Sequence, residues 1–189
     1  MNIYEKIEQL IKNKDKVIIA IDGPSAAGKS TFSKALANKY QATLFHTDNY
    51  FLPENRKIKS RLNQIGGNVD YERIQKEIFD NILGSTIKSN RYNCKLEILE
   101  IAQPVIINQV IIIEGVYSMH PLLINNYDLL VYLDIEPKQQ LKRIKERNGS
   151  TMLEKWINEW IPLENIYFQE SEIKIKADYI INIEKESLI

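Results

Sequence analysis

Between Lys16 and Thr31 the chain reads KVIIAIDGPSAAGKST, an apolar run of strand character that ends in a loop framed by Gly23 and Gly28 and opens onto a helical pattern. Gly23, the insert Pro24-Ser25-Ala26-Ala27, Gly28 and Lys29-Ser30 complete G-x-x-x-x-G-K-[ST] without a mismatch. A loop that wraps a polyphosphate turns consecutive backbone N–H groups inward and lets the main chain come close, which favours glycine at both ends and small residues between them. The helix that follows, expected over about residues 29–39, aims its unpaired N-terminal amides and the positive end of its dipole at the same point. Lys29 adds a mobile positive charge, and the Ser30 hydroxyl is placed to ligate Mg²⁺. Gly23, Pro24, Ser25, Ala26, Ala27, Gly28, Lys29, Ser30 and Thr31 are therefore the expected nucleotide-binding residues, with ATP or GTP and Mg²⁺ as the ligands.

The remaining chain supports one α/β unit. Its 189 residues fit a single domain that buries roughly 70% of its unfolded surface. Strand patterns at 17–22, 42–46, 110–114, 129–135 and 179–183 alternate with helical ones, which predicts a parallel sheet with helices on both faces. Ile3, Ile7, Leu10 and Ile11 place an amphipathic helix over about 2–13. Tyr71, Ile74, Ile78, Phe79 and Ile82 place another from Asp70, and Leu141 and Ile144 begin a third after Pro137. In residues 91–98 Tyr92, Cys94, Leu96 and Ile98 alternate with polar neighbours, so this run is expected as a strand in a small antiparallel ribbon.

Composition narrows the partners. With 25 basic and 25 acidic side chains the formal charge is zero, which provides no global field for nucleic acid or an anionic membrane. No apolar run approaches membrane-span length, and the start MNIYEKIEQL lacks a signal-peptide core, so a cytoplasmic protein is expected. The single cysteine, Cys94, excludes an internal disulfide and is read as an inert thiol. His46 and His120 are read as structural hydrogen-bonding groups. A homo-oligomer is compatible with all of this.

Ligands of open α/β sheets bind at the carboxyl ends of the strands. HTDNYFLP (46–53), RLNQIGGNVDYER (61–73) and EGVYSMHP (114–121) follow or flank such ends. Together with the phosphate loop, in this order and spacing, they resemble the uridine kinase-like family of P-loop kinases, whose relatives include phosphoribulokinase and bacterial pantothenate kinase. The resemblance runs from about Lys16 to Ile183. It implies a three-layer P-loop NTPase sandwich with a mainly parallel five-stranded sheet, a small β-ribbon on the acceptor side and a helical lid at about 138–165.

On these residues the resemblance implies that Asp48 is the catalytic base, the alternative being a strand-end cap. It sets Glu114 beside the metal and substrate, the alternative being a plain strand terminus. Asp70 matches an acceptor-binding aspartate, although an Asp directly before a helical run is equally an N-cap. Arg61 would hold substrate or phosphate, helped by the tight Gly66-Gly67 turn. Tyr92 falls where the family stacks an aromatic on a base, or serves packing. Arg143 and Arg147, four apart on one helical face, match lid arginines that close on the transferring phosphoryl group; otherwise they form a solvated basic face. Trp156, Trp160 and Tyr167 are read as an aromatic anchor for the closing helices and not as a base-binding cage. One departure stands out: the hairpin histidine of uridine-specific members is missing from RYNCKLEI.

Three functions compete on this reading. The first is transfer of the γ-phosphoryl group of ATP to the 5′-hydroxyl of a pyrimidine nucleoside, uridine or cytidine. The second keeps the mechanism but takes pantothenate, a sugar phosphate or another hydroxyl metabolite. The third is a regulatory P-loop ATPase, which has no need of a carboxylate such as Asp48. A GTPase switch is disfavoured because no N-K-x-D follows a strand; Asn13-Lys14-Asp15-Lys16 precedes the first one and ends in Lys.

Overall fold

The β-branched run Val17–Asp22 forms the central strand of the sheet because both its faces are covered by helices and loops. The computed structural model describes residues 1–93, 96–101 and 103–182. In chain order these form α1 (Ile3–Asn13), β1 (Val17–Asp22), α2 (Lys29–Tyr40), β2 (Thr43–His46), a 3₁₀ turn (Thr47–Tyr50), α3 (Lys59–Leu62), α4 (Tyr71–Glu77), β3 (Thr86–Ile87), β4 (Arg91–Asn93) and β5 (Ile98–Glu100). There follow β6 (Val105–Ile106), β7 (Val110–Glu114), β8 (Leu129–Leu133), α5 (Pro137–Asn148), α6 (Ser150–Lys155), a π-helical turn (Trp156–Trp160), α7 (Ile161–Glu170), α8 (Ile173–Lys176) and β9 (Tyr179–Ile181). Short 3₁₀ turns fill several connections.

The main sheet has the order β2-β7-β1-β8-β9, and every pairing in it is parallel. Two cores follow from the two-residue period of the strands. Ala20, Ile111, Ile113 and Tyr132 face the core shared with α4 and α7. Val17, Ile19, Ile21, Ile112, Val131 and Leu133 face α1 and α2, meeting Ile3, Ile7, Phe32 and Leu36. α1 is begun by a capping box in which Glu5 N donates to Asn2 Oδ1 at 2.9 Å and Asn2 N donates to Glu5 Oε2 at 2.9 Å. No helix among the described residues is long and apolar enough to cross a membrane.

Three expectations are corrected. The helix from Asp70 does not run to Ile82: its α-helical part ends at Glu77 and a 3₁₀ turn takes over at Phe79–Asn81, which still buries Ile78 and Phe79. The run 91–98 is not one strand, since β4 and β5 pair antiparallel as a hairpin whose return carries Glu97 in a left-handed conformation (φ 54°). A second ribbon, β3 with β6, stands beside the expected one. Cys94 and Ile183 lie outside the described residues.

Candidate active site

The phosphate loop takes the cradle form its sequence demands. Ala26 (φ 65°) and Gly28 (φ 98°) are left-handed, and a Cβ on Gly23 (φ 136°) would stand 2.2 Å from the Leu133 carbonyl oxygen, so this position takes only glycine. α2 begins at Gly28 with no side-chain cap, which leaves its first-turn amides to the cavity in front of it. Lys29 is buried at 8% exposure, and its Nζ donates to the carbonyls of Gly23 at 2.7 Å and Pro24 at 3.0 Å.

That cavity has a volume of about 1090 Å³ and gathers the carboxyl ends of β1, β2 and β7 together with the α5–α7 region. Ser25, Ala26, Gly28, Lys29, Ser30, Thr31, Asp48, Glu114, Arg143 and Arg147 all line it. Glu114 ends β7 opposite His46 in register. Its Oε1 accepts from Ser30 Oγ at 3.1 Å and contacts His46 Nδ1. Gly115 makes this closeness feasible, because a Cβ there would meet Thr47 Oγ1 at 1.9 Å. Among the described residues no group of three or more His, Cys, Asp or Glu forms a dedicated metal cage. A hydroxyl beside a single carboxylate nevertheless suits Mg²⁺, which keeps several waters and takes phosphate oxygens for the rest of its octahedron.

Asp48 sits on the 3₁₀ turn after β2, exposed to the cavity. The surrounding walls push its carboxyl above the ordinary carboxylate range by desolvation; Glu114 adds to the shift, while Lys29, His46 and Arg147 oppose it. Arg143 Nη1 donates to the Ala26 carbonyl at 3.0 Å, and the Arg147 guanidinium lies 5.7 Å from the Trp156 ring centroid.

Three predicted acceptor residues do not line this cavity. Asp70 is an N-cap: Arg73 N donates to its Oδ1 at 3.2 Å and Arg56 Nη1 to its Oδ2 at 2.6 Å, with Arg73 Nε at 3.5 Å. Arg61 grips Glu72 with both terminal nitrogens at 2.6 and 2.8 Å, donates to the carbonyls of Val69 and Gly67, and lies 3.8 Å over the Tyr71 ring. Tyr92 is 3% exposed and serves packing. Asp70→Ala should therefore act on stability, lowering it by about 1–2 kcal/mol through the lost cap and the lost pair with the half-exposed Arg56, while Arg73 keeps the carbonyls of Asn49 and Asn90. Urea unfolding checks this; a variant of unchanged stability with a raised KM for acceptor would return Asp70 to acceptor binding.

The tryptophans correct the sequence reading in the other direction. Tyr167 is a buried anchor, but Trp156 and Trp160, edge to face at 4.4 Å on the π-helical turn, line the cavity with Phe51, Leu62 and Tyr117. Nothing in their spacing foretells a π turn. His120 is structural: its Nδ1 accepts from Leu122 N at 3.2 Å, so Nε2 carries the proton it gives to the Ile65 carbonyl at 3.1 Å. Burial holds its pKa below the usual value, in keeping with a neutral ring stacked on Tyr71. Asp22 and Glu164 also emerge as buried acids beside the loop. An acid at the end of an apolar strand, and another inside the aromatic segment 156–168, are the signals that could have drawn attention to them.

A parallel sheet of this order, with a phosphate loop after its central strand, is the fold of the P-loop kinases. Residues 19–52, from β1 through the Asp48 turn, match the family model for cytidylate kinase. Among solved structures, a protein described as a possible uridine kinase from Bacillus stearothermophilus superposes with a TM-score of 0.69 at 19% identity, over 96% of this chain and 100% of its own. One described as a candidate fructose transport system kinase from Silicibacter sp. TM1040 gives a TM-score of 0.71 at 17% identity, over 96% and 99%. Comparison with curated proteins gives no match. At these identities the likeness is one of fold.

Proposed function

We propose that the chain is an ATP-dependent kinase that transfers the γ-phosphoryl group to a hydroxyl of a small metabolite, with the 5′-hydroxyl of uridine or cytidine as the preferred acceptor. The observation that carries the reading is that one cavity joins the phosphate loop to a carboxylate, Asp48, and to the side chains of Phe51, Leu62, Tyr117, Trp156 and Trp160. Asp48 would take the hydroxyl proton as the acceptor oxygen attacks the γ-phosphorus and the bond to the ADP oxygen breaks. Lys29 and the amides at the start of α2 would hold the phosphates, and Arg143 and Arg147 would balance charge on the transferring group. Ser30 and Glu114 would hold Mg²⁺ directly or through its waters. When bound, the ion would supply positive charge that offsets the charge of the phosphates.

The aromatic wall of Phe51, Tyr117, Trp156 and Trp160 supports an acceptor with a planar ring over a bare sugar phosphate or pantothenate. ATP turnover with Mg²⁺ across uridine, cytidine, other nucleosides, pantothenate and sugar phosphates, with products identified by mass spectrometry, tests it. Nucleoside monophosphate formed from uridine or cytidine is the expected result. Turnover only with another acceptor reassigns the substrate, and hydrolysis indifferent to every acceptor replaces the kinase with a regulatory ATPase. Both tryptophans of the chain line this one cavity, so nucleoside binding should also change the intrinsic fluorescence.

A further inference from the structure

Two buried acids beside the phosphate loop have no part in the chemistry above. Asp22, the last residue of β1, is 0% exposed, and Glu164, in the first turn of α7, is 5% exposed. Asp22 Oδ1 accepts from Gly23 N at 2.7 Å, while its Oδ2 accepts from Met119 N at 2.9 Å and from the Tyr167 hydroxyl at 2.7 Å. Glu164 takes both donors of Ser25: the amide at 3.0 Å on Oε2 and the hydroxyl on Oε1. Glu164 and Tyr167 lie three apart on α7 and so share one helical face. A single helix thus holds the loop directly at Ser25 and, through Asp22, at Gly23, on either side of Pro24.

A carboxylate is an unfavourable neighbour for a polyphosphate, and burial pushes both acids above the usual carboxylate range, with Lys29 opposing the shift in each. Such a cost persists where it secures a geometry that the backbone resists. The loop has one: Ala26, next to Ser25, is held left-handed without being glycine. α7 also continues directly from α6 and the π-helical turn, the region that the resemblance assigns to a lid, so the brace would connect that region to the loop.

We propose that Glu164 is a positioning residue for nucleotide binding, holding the first half of the phosphate loop in its cradle form and, with Tyr167, coupling that loop to the helix that ends the lid. The nucleotide part rests on the kinase reading; the brace itself does not. Two measurements separate them. Hydrogen–deuterium exchange of the loop peptide spanning residues 23–29 should rise about tenfold in Glu164→Ala, and titration calorimetry with Mg·ATP should show about tenfold weaker binding. Glu164→Gln, which keeps an acceptor for Ser25, should recover most of both, and Tyr167→Phe should move both in the same direction through Asp22. The KM for ATP should rise while the KM for acceptor stays, a split that general destabilisation does not produce. Ser25→Ala combined with Glu164→Ala should be no worse than the more severe single variant.

Unchanged loop exchange in the folded variant overturns the proposal. So does tighter ATP binding by Glu164→Ala, which would make the carboxylate a competitor of the phosphates. If the wild-type protein binds no ATP the kinase reading falls, and the exchange measurement still decides the brace. Should Glu164→Ala fail to fold, Ser25→Ala and Tyr167→Phe test the same brace from its other two ends, and unchanged loop exchange in both overturns it.

Discussion

Asp48→Asn is expected to cut kcat roughly 10²–10⁴-fold, the range for removal of a general base, while ATP affinity stays within about twofold. Asparagine preserves the shape and the 3₁₀ turn but cannot accept the acceptor's proton. The pH profile provides the finer check. A base works only when deprotonated, and enclosure by the cavity walls raises the Asp48 pKa, with Glu114 adding to the shift. Activity should therefore fall as the pH drops through that raised value, on a limb displaced upward from where an ordinary carboxylate would put it. The limb should vanish in Asp48→Asn. Wild-type turnover by Asp48→Asn would end the base assignment.

Lys29→Ala is expected to lower kcat/KM for ATP by roughly 10²–10³-fold, as for loss of one charge-stabilising donor in a closed site. Two effects add. The ammonium that would meet the β- and γ-phosphates is gone, and the carbonyls of Gly23 and Pro24 lose the donor they now share. Lys29→Arg should not rescue, because a planar guanidinium cannot take the place of a compact ammonium held between two adjacent carbonyls. Direct binding of Mg·ATP reads the first effect without turnover; an unchanged dissociation constant for Lys29→Ala would contradict the assignment of this loop.

What could be read from the chain divides along the range of the interactions. β1, the phosphate loop and α2 were legible because each is specified by neighbours in sequence: a β-branched run, a glycine frame, a helical period. Glu114 and Asp48 were legible as polar residues at the ends of apolar strands. The stripe Tyr71–Ile82 misled because 3₁₀ and α geometries bury nearly the same positions, so Ile78 and Phe79 count as core in either. The hairpin was hidden because its return uses Glu97 in the left-handed region rather than an Asn-Gly pair. At Asp70 the sequence allows cap and acceptor ligand alike, and the pairing with Arg56 comes only with the fold. Glu164 meets Ser25 across 139 residues and Tyr167 meets Asp22 across 145, and no local pattern encodes such pairings.

The strand order has a consequence for how this chain could change its chemistry. β7 alone separates the strand that carries the phosphate loop from the strand that leads to Asp48. Neighbouring strands lie about 4.8 Å apart, so the ends of β1 and β2, with the phosphate loop and the Asp48 turn that follow them, are held roughly 10 Å from one another by backbone hydrogen bonds. The sheet acts as a ruler whose graduation is independent of side chains. On the kinase reading proposed above, wall residues such as Phe51, Leu62, Asn68 and the tryptophan pair could therefore be exchanged to admit a different alcohol without resetting the spacing of the two strands.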